Sequence, residues 1–197
     1  MSNDVLMVAG IVLLVPAIWV VVSYNRFVTL RQQLTSSWAG IDIELKRRHE
    51  LIPNLVEVVR GYAQHERDTF ERVVTLRNNA VAASEPTAIA ARESEMMRAV
   101  KGLFVVAEAY PDLKADRRYA DLQGELANTE DRIAAARRFY NGNVRDWLVL
   151  RDSFPSTIVA GTFGFRSQDP GYFNLDSDAE AVVPRIEALL SPHRLTP

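Results

Sequence analysis

The 197-residue chain has no cysteine and only three histidines, His49, His65 and His193. Without cysteine there is no disulfide framework, no thiol nucleophile and no thiolate-ligated zinc or iron–sulfur site; with so few histidines, a His-rich metal site is not expected either. An excess of one charge is also missing. Lys and Arg total 23 against 25 Asp and Glu, for a net charge of -2, so there is no broad basic field and no nucleic-acid partner is expected. Strand signals are nearly absent, with no convincing period-2 alternation before Ser156. No phosphate-cradling glycine loop and no nucleophile elbow occurs, and the H-E-x-x-H pattern begun at His65-Glu66 fails because Thr69 stands where the second histidine belongs. The chain is therefore expected not to be an enzyme, with no catalytic residue, cofactor or metal. What remains is 48% hydrophobic and 24% charged, the composition of one ordered domain of modest size.

The first strong signal is the run VLMVAGIVLLVPAIWVVV, bounded by Val5 and Val22, which carries no charged side chain. As a helix it spans roughly 27 Å, close to the hydrocarbon thickness of a bilayer. A signal peptide is the rival reading, but residues 1–4 carry no Lys or Arg and no A-x-A site follows the run. A retained transmembrane anchor over residues 1–23 is favoured. Pro16 removes one donor, which a membrane helix absorbs as a mild kink, and Trp19, Tyr24 and Phe27 cluster at one end as an interfacial aromatic belt. No basic residue precedes the span, whereas Arg26 and Arg31 follow it, so the positive-inside rule places the N-terminus outside and the body in the cytoplasm.

Beyond the anchor the period is helical. From Phe27 through Leu30, Leu34, Trp38, Ile41, Leu45, Ile52, Leu55, Val59, Tyr62 and Phe70 to Val73, seam residues recur about every 3.5 positions, with Arg48 and Glu66 filling two slots. The spacing predicts one long helix over 27–73; nothing between Pro16 and Pro53 compels a break, which leaves open whether it is continuous with the membrane helix or joined to it around residues 23–25. Gly40 and Gly61 weaken it by about 1 kcal/mol each without ending it. Pro53 cannot donate to the His49 carbonyl; the helix kinks there, or else one helix stops near Leu51 and another starts, and the in-phase seam favours the kink. A second helix is predicted from Pro86 to about Tyr110, burying Ile89, Met96, Val100, Leu103 and Ala107. A third follows residues 112–116, with a face from Tyr119 through Leu126, Thr129, Ile133, Tyr140, Val144 and Trp147 to Phe154, closed by Pro155. Residues 156–165 (STIVAGTFGF) read as a short helix or an apolar lid over one end of the bundle, 166–180 as polar loop, and 179–190 as a final helix interrupted by Pro184.

Two polar pairs stand out on these faces. Pro53-Asn54 marks the expected kink and Thr129-Glu130 interrupts the third helix's apolar face. They form a polar layer or docking notch, or else, as the plainer and favoured reading has it, Asn54 satisfies the freed carbonyl, Thr129 bonds back to its own helix and Glu130 is solvated. Glu66 either needs an Arg partner in the seam or reaches water at its edge. Arg47-Arg48, Arg117-Arg118 and Arg137-Arg138 would each attract anionic lipid if near the membrane, but interspersed acids argue for ordinary ion-paired faces.

The stretch from Tyr24 to Ala80, above all LKRRHELIPNLV and GYAQHE, resembles the LemA family of bacterial membrane proteins. Later blocks agree in order: EAYPDLKA, LQGELANTEDRIAAARRFYN, VRDW and FPSTIVAGTFGF, so the likeness runs from Tyr24 to Phe173. Trp147 stands where the family usually has Tyr, and Thr162 interrupts a usually more apolar run. The resemblance implies an all-α protein: a single N-terminal transmembrane helix with its N-terminus outside, followed by an elongated antiparallel bundle of long helices in the cytoplasm. The expected divisions are an anchor over 1–23, a bundle domain over 24–165, and a polar loop with a short helix over 166–197. It implies the bacterial inner (plasma) membrane, no enzymatic activity, and a membrane-associated scaffold or organiser.

Candidate partner-binding or structural positions are Pro53, Asn54, Tyr62, Glu66, Thr129, Glu130, Arg145, Phe154, Pro155, Phe163 and Gly164, and the anchor is marked by Val5, Trp19, Val22 and Tyr24. Two functions remain open: a noncatalytic scaffold that self-associates or organises membrane proteins or membrane shape, and an adaptor or regulatory subunit of a membrane enzyme such as a protease or envelope-stress system. The partners expected are the lipid bilayer, a second copy of the chain, and another membrane protein. Self-association is favoured because the apolar seam from Trp38 to Leu45 is expected to project beyond the bundle and need cover.

Overall fold

The computed structural model describes residues 2–175, and within 2–11 only the side chain of Met7 is included. The expected helix at 179–190, and with it most of the C-terminal segment 166–197, lies outside the described residues. Among those residues every regular element is helical: α1 (Ser2–Tyr62), α2 (Arg67–Val81), α3 (Pro86–Glu108), the single turn α4 (Pro111–Lys114), α5 (Arg117–Asp152), α6 (Ser156–Thr162) and a 3₁₀ turn at Phe165–Ser167. Pro86 and Pro111 each sit in a first helical turn, where the missing amide hydrogen would have had no partner.

Two expectations about α1 meet different outcomes. Helical hydrogen bonding continues through Pro53 and there is no restart at that point, so the two-helix alternative is set aside. The expected single helix to Val73 is overturned. α1 ends at Tyr62, one residue after Gly61, and the chain turns through residues 63–66 before α2 begins. Ala63 bonds back to the Val59 carbonyl, Glu66 to that of Ala63, and Phe70 to that of Glu66. The turn brings α2 onto α3, so that Phe70 and Val73 are buried against Met96, Met97, Val100 and Leu103. A straight continuation would have left them without that partner.

The described residues pack as two compact units, one of 2–39 with Phe139–Gly171, the other of Gly40–Arg138 with 172–175. The core of the second unit is built on Ile52, Leu55, Val59 and Ala63 of α1, the α2 and α3 residues just named, Leu113 of α4, and Tyr119 and Leu126 of α5. Each Val, Leu, Ile, Phe or Met side chain among them contributes about 1.5–3 kcal/mol by leaving water. In the first unit, Phe27, Trp147, Leu150, Val159, Ala160 and Phe165 form the core, with Trp19, Val20, Leu30 and Leu34 against it.

The seam from Trp38 to Leu45 is covered by the chain itself, which removes the reason given above for expecting a partner there. Trp38 packs edge-on against Tyr140 with ring centres 5.3 Å apart, and Ile41 and Leu45 are buried. The third-helix face also ends sooner than expected. α5 stops at Asp152, Leu150 takes the last seam position, and Phe154 turns outward into the link to α6, 81% exposed.

Candidate functional site

Among the described residues, 12–22 of α1 form a largely uncovered apolar surface. Val12, Leu13, Leu14, Val15, Ile18, Val21 and Val22 are 55–75% exposed, and the helix is long and apolar enough to cross a membrane by length and composition. Of the residues marking the anchor, Val22 is exposed, Trp19 is half-buried against the first unit's core, and the Val5 side chain lies outside the described set.

Just past this stretch, Tyr24 and Phe27 meet the segment that follows α5. Tyr24 lies 5.1 Å from Phe163 and 5.5 Å from Phe165, ring centre to ring centre; Phe27 stacks on Phe165 at 4.7 Å and meets Trp147 edge-on at 5.6 Å. Such pairs add about 0.5–1.5 kcal/mol each to area burial. Gly164 adopts φ 77°, a left-handed conformation that turns the backbone between the two phenylalanines. The Ser156 hydroxyl, 2.6 Å from the Leu150 carbonyl and 2.9 Å from that of Ser153, ties α6 to the end of α5. The indole of Trp147 donates to the Gln168 carbonyl at 3.2 Å and the Tyr140 hydroxyl to that of Gly171 at 3.0 Å, holding the following segment on α5.

The second unit contains a buried charge centre. Arg48 and Glu93 are both 0% exposed. One terminal nitrogen of Arg48 donates to both oxygens of Glu130 at 2.8 and 2.9 Å, and the other donates to Glu93 Oε2 at 2.6 Å. His49 Nε2 lies 2.6 Å from Glu93 Oε1 and donates to it, since an ionised carboxylate only accepts. The set joins α1, α3 and α5. Burial alone would raise the Glu93 carboxyl, but the Arg48 charge and the hydrogen bond from His49 hold it below its ordinary value. Burial likewise opposes the charge on Arg48, and Glu130 and Glu93 more than reverse it, raising the guanidinium.

One residue further on, the gap left by Pro53 is filled from another helix. The His49 carbonyl, which Pro53 cannot reach with a hydrogen, accepts the Arg77 Nε–H of α2 at 3.2 Å. Asn54 does not serve it; Asn54 is exposed and borders an open cleft with Glu57, Gly61 and Tyr62. The Tyr62 hydroxyl donates to Asp116 at 2.8 Å, which raises the phenol and lowers the carboxyl.

Of the other positions singled out from sequence, Thr129 is buried and donates to the Glu125 carbonyl of its own helix at 2.8 Å, as the plainer reading expected. Glu130 departs from that reading: its side chain is 13% exposed and held by Arg48, because Thr129 occupies the seam and the next residue leans toward α1. Glu66 is half-buried in the turn before α2. Arg145 is exposed beside Asp146, Pro155 caps the start of α6, and Phe163 is partly covered by Tyr24. The fold thus brings Phe163 and Gly164 together with Tyr24, and Glu130 together with Arg48, but does not unite the candidates into one cleft. Glu93, His49 and Arg77 were missed. Glu93 sat in plain view, occupying the apolar slot between Ile89 and Met96.

Comparison with known proteins agrees with this architecture. The LemA family model matches residues 37–187. The magnetosome protein MamQ of Magnetospirillum gryphiswaldense is 23% identical over 195 residues, covering 86% of this chain and 72% of that protein. A MamQ of Paramagnetospirillum magneticum is 22% identical over the same shares. Protein LemA of Metamycoplasma hominis is 26% identical over 121 residues, 59% of this chain and 54% of its own length. None of these names is that of an enzyme. With a family model matching most of its length and an all-helical fold behind a membrane-compatible N-terminal helix, the chain belongs to the LemA family.

Proposed function

We propose that the protein is a noncatalytic, single-pass scaffold of the bacterial inner membrane. Its N-terminus lies outside, and its helical body on the cytoplasmic face self-associates or organises neighbouring membrane proteins or the shape of the bilayer. The observation that carries this reading is the exposed apolar surface of α1 over residues 12–22, which packs on little of the chain itself and belongs to the apolar run 5–22, about 27 Å of helix and close to a bilayer's hydrocarbon thickness. The buried charges of the second unit support a structural role over a catalytic one. They are paired with one another across three helices, beneath the surface. Self-association no longer draws support from the Trp38–Leu45 seam; it rests on the likeness to proteins named for the magnetosome.

Because the chain lacks cysteine, single cysteines report topology directly. With Ser2→Cys and Asn79→Cys in intact cells, a membrane-impermeant maleimide is expected to label the first and to reach the second only after permeabilisation. The opposite pattern overturns the orientation. Light scattering of the full chain in mild detergent is expected to give defined assemblies larger than a monomer. A monomer at micromolar concentration that gains mass only on adding a second membrane protein refutes self-association and favours the adaptor.

A further inference from the structure

We propose that α6 and the residues flanking it form a second membrane contact, an interfacial foot whose outer face rests in the lipid headgroup and upper acyl region beside α1. The proposal rests on the anchor reading above. Val159 and Ala160 of α6 are buried in the same cluster that Trp19 and Val20 join, and Trp19 lies within the apolar run that ends at Val22. At 1.5 Å per residue, Trp19 is about 4–5 Å inside the end of that run. A helix packed there is at the depth of the membrane surface, not above it.

The chemistry of the outer face fits that depth. Residues 153–165 include no charged side chain. The inner side of α6 faces Phe27, while Ile158 is 59% exposed and Gly161 and Thr162 are exposed beside it. Phe154, before the helix, is more exposed still. A helix surface meeting water normally carries charge, whereas one in the interface presents apolar side chains to acyl chains and keeps its backbone satisfied. The occupant is lipid because the patch continues directly from the apolar surface of α1, and a chain that crosses the bilayer at Trp19 already has lipid at that level.

The test uses the full-length chain in vesicles of phosphatidylethanolamine and phosphatidylglycerol. Val12→Cys, Ile158→Cys, Thr162→Cys and Glu71→Cys each carry one environment-sensitive fluorophore. Two quenchers are compared, a lipid with a nitroxide near the headgroup end of its acyl chain and iodide equilibrated on both sides. Labels at Ile158 and Thr162 are expected to be quenched by the nitroxide lipid and shielded from iodide several-fold relative to Glu71. If iodide reaches them as readily as it reaches Glu71 while the Val12 label is lipid-quenched, the foot is refuted and the anchor stands. Shielding from both quenchers also refutes it, since protein then covers the patch. A Val12 label in water overturns the anchor reading and this proposal with it.

Discussion

Arg48→Met tests the buried charge centre most sharply. The substitution removes both bonds to Glu130 and the bond to Glu93, and the two carboxylates then differ in what they can do. Glu130 is 13% exposed and can swing toward water; Glu93 has no exposed surface and keeps only His49. Breaking a buried pair from one side costs about 3–5 kcal/mol. The lower end applies here, because His49 remains as a partner and Glu130 has an exit. About 3 kcal/mol is roughly a hundredfold in the opening equilibrium of the unit, against a total stability of about 5–15 kcal/mol for a typical domain. Removing the stranded carboxylate as well, in Arg48→Met with Glu93→Leu, is expected to recover at least about 2 kcal/mol of the loss, since apolar replacements of buried ion pairs are often neutral or stabilising. Tryptophan fluorescence is the wrong probe. Trp19, Trp38 and Trp147 all lie in the first unit, whereas the charge centre is in the second. Hydrogen exchange at the amides of α3, measured on the full chain in detergent, reads the right place. A single variant within about 1 kcal/mol of the parent, or a double variant no better than the single, would refute the reasoning.

Three further outcomes follow from the geometry. Arg77→Met leaves the His49 carbonyl without its donor and is expected to cost about 1–2 kcal/mol; Pro53→Ala restores a donor within α1, so in that background the same change should cost less, and equal losses in a double-mutant cycle would show that Arg77 does not serve this carbonyl. Gly164→Ala forces a side chain into the left-handed region at a cost of about 1 kcal/mol and should weaken the Phe27–Phe165 stack, seen as a change in Trp147 fluorescence; an unchanged spectrum and stability would contradict it. The pH dependence should have two limbs. Glu93 is depressed below its ordinary 4.5, so its contribution is complete above that value and drains as pH falls through the lower folded value. Burial first, and the charge of Glu108 second, push the Tyr119 hydroxyl from 10.0 up to about 12, so its contribution is complete below 10.0 and is lost as pH rises toward 12. In Glu93→Gln the acid limb of a denaturation series should shrink while the alkaline limb, followed by tyrosinate absorbance, stays.

Helix identity and seam positions could be read from sequence because burial repeats with the helical period, and Ile41, Leu45, Ile52, Leu55 and Val59 are buried as spaced. The break after Tyr62 was not legible for the same reason. Phe70 and Val73 happen to fall in phase with the seam of α1, so the period runs on across a turn where the chain reverses, with Ala63 buried in place of Tyr62. Phe154 misled likewise, falling on the α5 period just after the helix had ended. The charge centre left a fainter trace. Arg48 and Glu93 each fill an apolar slot in a different helix, with opposite signs, and such a pair of misfits is complementary only if the two helices meet. Reading each helix alone could not join them. The donor to the His49 carbonyl was not legible at all, since it comes from α2, 28 residues along the chain.

A repeating apolar stripe has a weakness: slide one helix along its neighbour by two turns and leucine still meets leucine. Arg48 breaks that degeneracy. In any shifted alignment a guanidinium and a carboxylate would each be walled into hydrocarbon alone, at a cost of several kcal/mol per stranded ion. Such a centre adds little to the depth of the correct minimum while raising its nearest competitors. An all-apolar redesign of those positions is therefore expected to be neutral or stabilising, and to loosen the choice of one alignment over the next.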